Sequence, residues 1–372
     1  MLKTFLPAAA ASLIAGAALA DVPQVATDIP PVHGLAARVM QGVGEPHLVV
    51  PPGASPHGHA MRPSEARALA NADAVFWIGE ALTPWLEGHI ENLSGKAHVV
   101  ELLGASSTIG LEFRETTVFG DGGHDDHGDD HAEHDDHDDH DDHEGHGAEH
   151  AEHDGHDHNG DGEEHAEGHD DHGEEHAEGH DDHDGHDDHE DHAGHDHGGH
   201  AHDGIDPHAW LHPENAKAWM ALIAQELAEL DPENADAYMA NAKAGQAEID
   251  AAAAETAEKV AGLKGRDFVV FHDAYQYFEE AFGLDILGAI SLGDATRPSP
   301  AQLAEIRDAA KDGDLACVFA EPQYNPGLVA TVAEGTGAGT AVLDPLGADI
   351  ATGPQFYPQL LLSLGNAVAD CG

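Results

Sequence analysis

The chain has 372 residues, of which 72 are Asp or Glu and only 14 are Lys or Arg, so its formal net charge is −58. Acidity of this size disfavours nucleic acids and anionic lipid surfaces as partners and favours cations. The length is sufficient for two domains of ordinary size after a leader and a low-complexity tract are set aside.

The first twenty residues have the pattern of an export signal. Lys3 precedes an apolar stretch, and Ala18-Leu19-Ala20 provides small residues at a cleavage site. We predict cleavage after Ala20, with an uncleaved membrane anchor as the alternative. No other stretch approaches the ~20 apolar residues that a spanning helix needs. The sequence therefore predicts an exported, soluble protein.

The first half of the remaining chain alternates between short apolar runs and helical patterns. The predicted strands are Val25–Ile29, His47–Val50, Ala74–Ile78 and His98–Leu102. The predicted helices are Val32–Gln41, Ser64–Asn71, Pro84–Asn92 and, beyond a low-complexity tract, Glu214–Leu230. Short apolar runs between helical segments are typical of buried parallel strands. Residues 21–230 are therefore predicted to form a lobe of four βα units with helices on both faces of its sheet.

The low-complexity tract at 121–203 contains 25 of the chain's 34 histidines and no Lys, Arg, Cys or Met. The decamer EEHAEGHDDH occurs in it twice, at 163–172 and 174–183. Without apolar periodicity the tract cannot offset its ordering entropy, so we predict a disordered loop. Its repeated imidazoles offer many weak, exchangeable sites for metals such as zinc. A solvated acidic spacer is the alternative interpretation.

A long helix is predicted over 231–262. Asp231-Pro232 resembles an N-cap and first helical position, and an Ala-rich run continues to Gly262. At 1.5 Å per residue the helix would span roughly 45 Å, so it could lie along both lobes as a rigid connection.

The second half, 263–372, repeats the βα scheme and is predicted to form the second lobe. Its predicted strands are Phe268–Phe271, Ile286–Ile290, Ala316–Ala320 and Ala341–Leu343. Its predicted helices are Tyr275–Phe282, Pro300–Lys311, Gly327–Glu334 and Pro358–Ala369. The two cysteines, Cys317 and Cys371, can form a disulfide in an oxidising compartment, or remain as two separate buried thiols.

Four side chains follow predicted strands, two in each half of the chain: His57, His208, His272 and Asp344. In open parallel α/β sheets, ligands bind outside the carboxyl ends of the strands, so these residues could converge in a cleft between the lobes. Three imidazoles and one oxygen donor suit tetrahedral zinc. Each histidine alone could instead bond a backbone carbonyl, and Asp344, which precedes a proline, could simply shape a turn.

Several segments resemble the zinc-specific solute-binding proteins of bacterial ABC importers, the ZnuA type, over nearly all of 21–372 except the tract. They are GASPHGHAMRPSEARALANADAVFWIG, DPHAWLHPENA, VVFHDAYQYFEEAFGL, CVFAEPQYNP and VLDPLG, together with the terminal Cys371. The resemblance implies zinc binding in an interlobe cleft through His57, His208 and His272, with Asp344, water or a nearby acid as the fourth ligand. It also implies a Cys317–Cys371 disulfide.

The chain departs from the family pattern at a few positions. Some relatives carry an acid where this chain has Pro56, and His59 and His212 replace aromatic or small polar residues. Manganese-type relatives place a carboxylate at the position of His272. Imidazole at that position favours zinc, although nickel and Cu(II) also accept it.

The function implied is capture of Zn²⁺ in the periplasm by a monomer and its delivery to an inner-membrane ABC permease with its ATPase. Periplasmic zinc chaperones are further candidate partners. One alternative is a periplasmic zinc buffer or store; another is import of a different divalent metal such as manganese or nickel. A third is a metallohydrolase with an open zinc position. We predict no enzyme, because no HExxH or comparable motif supplies a general base.

Overall fold

The structure is a computed structural model that describes residues 22–119, 204–293, 298–312 and 315–372. Its strands form two parallel four-stranded sheets, which confirms the predicted α/β class with one sheet in each half. The first sheet has the order β2-β1-β3-β4, with strands β1 (Val25–Thr27), β2 (His47–Leu48), β3 (Ala74–Trp77) and β4 (His98–Glu101). The second has the order β6-β5-β7-β8, with strands β5 (Asp267–His272), β6 (Asp285–Ser291), β7 (Leu315–Ala320) and β8 (Gly339–Val342).

The helices follow the strands closely and cover the sheets. They are α1 (Pro30–Val39), α2 (Pro63–Ala70), α3 (Pro84–Leu93), α4 (Pro213–Leu230), α5 (Ala235–Val260), α6 (Gln276–Phe282), α7 (Pro300–Asp312), α8 (Pro326–Ala333) and α9 (Phe356–Cys371). Six of them begin at a proline, whose fixed φ suits a first helical residue and whose missing N–H costs no intrahelical bond there. In the described ranges no helix has both the length and the apolar character that a bilayer crossing would need.

The main hydrophobic core runs through both halves of the chain. Phe76 of β3 and Trp219 of α4 belong to the same buried cluster as Phe268 of β5 and Tyr357 of α9. The strands at the centre of each sheet are almost fully buried, as expected for parallel strands covered by helices. The two halves of the chain therefore share one hydrophobic core.

The long helix α5 begins at Ala235, four residues after the position expected from Asp231-Pro232. The carboxylate of Asp231 instead accepts hydrogen bonds from Asn234 Nδ2 at 2.6 Å and Tyr238 Oη at 2.9 Å, which stabilises a turn between α4 and α5. The 26 residues of α5 span about 39 Å. The helix packs against α1, α4 and α9, so it contacts elements from both halves of the chain.

A stem segment, defined as residues 109–119, leads from β4 toward the predicted histidine-rich loop. Glu112 pairs antiparallel with Ile205, on the far side of that loop. The backbone N–H of Phe119 donates to the Leu287 carbonyl at 2.7 Å, at the edge of the second sheet. The stem segment therefore contacts both the chain that returns from the loop and the second half.

Two predicted segments lie outside the described residues. They are the signal peptide at 1–20 and the histidine-rich loop at 121–203. Cleavage after Ala20, and disorder and metal binding in the loop, therefore stay predictions.

The disulfide between Cys317 and Cys371 is present, with a Cα–Cα distance of 5.8 Å. It joins β7, in the middle of the second sheet, to the last turn of α9. The bond therefore fixes the C-terminus of the chain to the core of the second half.

Asp28 is a fully buried carboxylate at the carboxyl end of β1. Its oxygens accept hydrogen bonds from the backbone N–H groups of Ile29 and Ile78, each at 2.7 Å, so it links the ends of β1 and β3. Burial raises the pKa of Asp28 from 3.8 to about 7, although the two amide bonds act in the opposite direction.

This shift predicts a pH-dependent stability. Between pH 3.8 and about 7, Asp28 holds a proton in the folded state that it has lost in the unfolded state. Its contribution to the free energy of unfolding is therefore complete below this range and is lost as the pH rises through it. As the pH rises through this range, we expect the Asp28→Asn variant to become more stable relative to the parent chain. Urea unfolding at several pH values in the absence of metal measures the difference, and the exposed Asp236→Asn is the matched control. A difference that does not change with pH would contradict the assignment.

Candidate metal centre

The three predicted histidines line one small cavity at the carboxyl ends of the strands. His57, His208 and His272 form its walls with neighbours from both halves of the chain, among them Trp210 and Glu321. The cavity volume is about 10 Å³, room for one water-sized species. His208 and His272 are buried, whereas His57 is partly exposed.

His208 is oriented by a carboxylate two residues before it in the chain. Asp206 Oδ1 accepts hydrogen bonds from the backbone N–H of His208 at 2.9 Å and from its ring Nδ1 at 2.6 Å. Asp206 is in turn held by Tyr277, whose hydroxyl donates to the Asp206 carbonyl at 2.8 Å. Because an ionised carboxylate only accepts, Nδ1 carries the ring proton and Nε2 presents its lone pair to the cavity.

His272, the last residue of β5, is oriented in the same way from the neighbouring strand. Glu321 directly follows β7, which pairs with β5, and its Oε1 accepts from Nδ1 of His272 at 2.6 Å. Both side chains are almost completely buried. Pairing of a histidine with a carboxylate is the usual arrangement behind a metal-ligating imidazole, because it fixes the tautomer and raises the basicity of the other nitrogen.

The two oriented rings face each other through their Nε2 atoms, which are 3.4 Å apart. Two ligand nitrogens on a tetrahedral zinc ion lie about 3.3–3.4 Å apart when each Zn–N distance is about 2.0–2.1 Å. With Nδ1 of each ring directed at a carboxylate, the two Nε2 atoms are directed at each other, where one cation can bind to both. The pair therefore has the spacing and the electronic character of a metal chelate.

His57 reaches the cavity from a separate loop after β2. It lies on a 3₁₀ turn, Pro56–Gly58, which is held in place by a hydrogen bond from Trp85 Nε1 to the Pro56 carbonyl at 2.6 Å. The ring centroids of His57 and His208 are 6.0 Å apart. Among the residues that the structure describes, no three His, Cys, Asp or Glu side chains are gathered closely enough to hold one ion. The structure thus brings two imidazoles to chelating distance and places the third in the lining of the same cavity.

Asp344 lies near the cavity but its carboxylate is directed elsewhere. Its Oδ1 accepts from the backbone N–H of Leu346 at 3.0 Å and its Oδ2 from that of Ala348 at 2.6 Å. It is not among the residues that line the cavity, although the following Pro345 is. In this structure Asp344 shapes a turn after β8, and a role as fourth ligand stays a prediction.

The two unusual histidines of the sequence have structural contacts instead. His59 Nε2 lies 2.9 Å from Glu65 Oε2, and its ring packs edge-on against Trp85. His212 caps α4, because its Nδ1 accepts from the backbone N–H of Glu214 at 3.1 Å. Burial lowers the pKa of His212 and so favours the neutral ring that this cap requires.

Buried acids lie behind the paired histidines. Asp273 follows His272, and burial raises its pKa to about 7, although the nearby guanidinium of Arg114 acts in the opposite direction. Arg114 belongs to the stem segment; it lies 3.4 Å from Asp273 and also pairs with Glu279. The carboxylates of Asp206 and Glu321, which accept hydrogen bonds from the two rings, give this side of the cavity a negative character that favours a cation.

Comparison with known families identifies the family to which this chain belongs. Residues 25–371 match the family described as zinc-uptake complex component A, periplasmic, ZnuA. The chain belongs to the ZnuA family.

Relatives of known name resemble it over almost their whole length. The high-affinity zinc uptake system protein ZnuA of Brucella abortus (strain 2308) is 38% identical over 368 residues, 99% of this chain and 97% of that protein. The protein of the same name from Paracoccus denitrificans is also 38% identical, over 98% of this chain and 96% of its own length. A crystal structure of a zinc-bound ZnuA deletion mutant superposes with a TM-score of 0.62 at 22% identity, over 93% of this chain and 98% of that one. That last likeness concerns the fold.

In this ZnuA-family chain, the sequence analysis missed the carboxylates that orient the rings. Asp206 stands two residues before His208, and Glu321 directly follows a buried strand, as His272 does at the end of its own. The rule that placed the histidines at strand ends would have found Glu321 had it been applied to acids as well. Asp206 has a local signal, since an Asp commonly bonds the backbone N–H two residues later.

Proposed function

We propose that this protein captures Zn²⁺ in the periplasm with the histidines of the cleft and delivers it to an inner-membrane ABC permease with its ATPase. The 3.4 Å spacing between the Nε2 atoms of His208 and His272, each backed by a carboxylate, is the observation that carries the proposal. His57, which lines the same cavity, completes the set when the ion binds. The names of the zinc-uptake relatives in Brucella and Paracoccus support zinc as the cargo.

The chemistry of the site supports binding rather than catalysis. The cavity has room for one water-sized species, which suits a metal ion. Zinc is therefore the transported substrate, and no bond is made or broken. Neutral imidazoles at three positions favour zinc over manganese, which prefers carboxylate oxygens.

The proposal includes a domain organisation and a location for the protein. The mature chain begins at Asp21 and has lobes at 21–230 and 263–372, joined by the segment 231–262. The two separate sheets and the long helix α5 support this division. Export by the signal at 1–20 would bring the protein to the periplasm named in the family description.

Growth in a zinc-depleted medium tests the proposal. A bacterium that lacks its own zinc-binding component but keeps the cognate permease and ATPase should grow when it expresses this chain. A variant with both His208→Ala and His272→Ala should be exported in equal amount and should not restore growth. Equal growth with the double variant would contradict delivery from the cleft and would favour a buffer based on the histidine-rich loop.

A further inference from the structure

Gln323 is a polar residue in the cavity that the histidine site does not yet use. It lies in a turn after β7, in which the backbone N–H of Tyr324 donates to the Glu321 carbonyl at 3.2 Å. Pro322 occupies the second position of this turn and Gln323 the third, a common place for proline to fix the direction of the chain. The turn places Gln323 among the residues that line the cavity, together with all three histidines.

The amide of Gln323 is buried without a partner. Within the described residues neither its Oε1 nor its Nε2 has a hydrogen bond, although both atoms are shielded from solvent. An unsatisfied buried amide destabilises a fold by about 1–3 kcal/mol. Such a cost is common at sites where a polar group is held ready for a ligand. If this position had only a structural role, an apolar side chain of similar size would make the fold more stable.

Three other carboxylates lie near the histidines. Asp206 has one oxygen without a hydrogen bond among the described residues, but Asp206 does not line the cavity. Glu321 Oε1 accepts from the ring of His272, and both oxygens of Asp344 accept from backbone amides. The fourth donor is thus best supplied by a side chain that lines the cavity and has an oxygen to offer.

We propose that the amide oxygen of Gln323 occupies the fourth position on the metal ion and sets the preference of the cleft for zinc. Three neutral imidazoles and a neutral amide leave the ion without a directly bound carboxylate. Manganese binds more weakly to such a set than to one with carboxylate oxygens, whereas zinc retains its imidazole ligands. The inference rests on the proposed function of the histidine cleft and adds a specificity-determining residue to it.

Two substitutions in the full chain separate a ligand role from a structural one. Gln323→Leu removes the donor but keeps the volume, so the tightest zinc-binding step should weaken about tenfold or more. The same variant should raise the thermal unfolding temperature of the metal-free protein, because a buried amide without a partner is replaced by an apolar group. Gln323→Glu supplies a carboxylate and should lower the ratio of zinc to manganese affinity about tenfold or more. Gln359→Leu and Gln359→Glu, on the exposed side of α9, are the matched controls.

Competition titration against a chelator, with Zn²⁺ and then Mn²⁺, measures both affinities, and calorimetry measures the unfolding temperature. Lower thermal stability of Gln323→Leu, with unchanged metal preference in Gln323→Glu, would show a structural residue and overturn the inference. The His272→Ala variant is titrated in parallel. If it binds zinc like the parent, the cleft itself is wrong; if it loses zinc while both Gln323 variants behave like the parent, only the role of Gln323 is wrong.

Discussion

Replacing His272 by alanine should weaken the tightest zinc-binding step about tenfold or more, which corresponds to about 1.4 kcal/mol. The substitution removes one of the two Nε2 atoms that are 3.4 Å apart, so the preformed half of the site is lost. It also removes the imidazole ring that the buried Glu321 carboxylate orients. His57→Ala and His208→Ala should act in the same direction. Competition titration at neutral pH against a chelator that masks weaker sites measures the effect.

Two further variants complete that experiment. His98→Ala, an exposed residue of β4, is the matched control and should bind zinc like the parent. Asp344→Ala should cost less affinity than the histidine variants, because its carboxylate is bonded to backbone amides. Parent-like zinc binding in all three cleft histidine variants would refute the cleft assignment.

Replacing both Cys317 and Cys371 by alanine should lower the free energy of unfolding by about 3–4 kcal/mol. The bridge joins residues 54 positions apart, and closing a loop of this length restricts the unfolded chain by about that amount in the chain-entropy description. Neither sulfur lines the metal cavity, so zinc affinity should remain nearly unchanged. Urea unfolding and zinc titration of the same variant measure the two quantities.

Reduction of the parent chain provides the control for this prediction. Intact mass before and after a reductant reports whether exported protein carries the bridge. The reduced parent should unfold at a urea concentration close to that of the double alanine variant. Identical unfolding of the oxidised and reduced parent would show that the bridge does not stabilise the fold.

The predicted strands and helices agree with the structure because the apolar periodicity and the capping residues are local signals. All eight strands are present, with ends that differ by at most two residues. The start of α5 differs by more, since Asp231-Pro232 fits both a helix start and a turn. The choice depends on Tyr238, whose hydroxyl bonds the Asp231 carboxylate from one turn into the helix. That contact joins residues seven positions apart, and Asp231-Pro232 alone gives no sign of it.

In the candidate site, too, some features could be predicted from the sequence and others could not. The position of each histidine relative to a strand was enough to predict that His57, His208 and His272 line one cavity. The bonding of the carboxylates could not be read from position, because Asp344 and Glu321 both follow strands of the second sheet. Asp344 accepts hydrogen bonds from backbone amides, whereas Glu321 accepts one from an imidazole ring. Gln323 was missed because a neutral amide in a turn gives no charge or pattern signal.

The stem segment pairs with the chain that returns at Gly204, so the insertion between them begins and ends at the same place in the fold. The backbone N–H of Phe113 donates to the Gly204 carbonyl at 3.2 Å, and Glu112 pairs with Ile205, so the two ends are fixed to each other. The entropic cost of closing a flexible excursion grows only logarithmically, by about 0.6 kcal/mol for each doubling of its length. If the insertion is disordered as the sequence predicts, duplication or loss of a decamer such as EEHAEGHDDH should therefore change the stability of the fold very little. Natural selection can lengthen, shorten or rewrite this insertion without acting on how the rest of the protein folds.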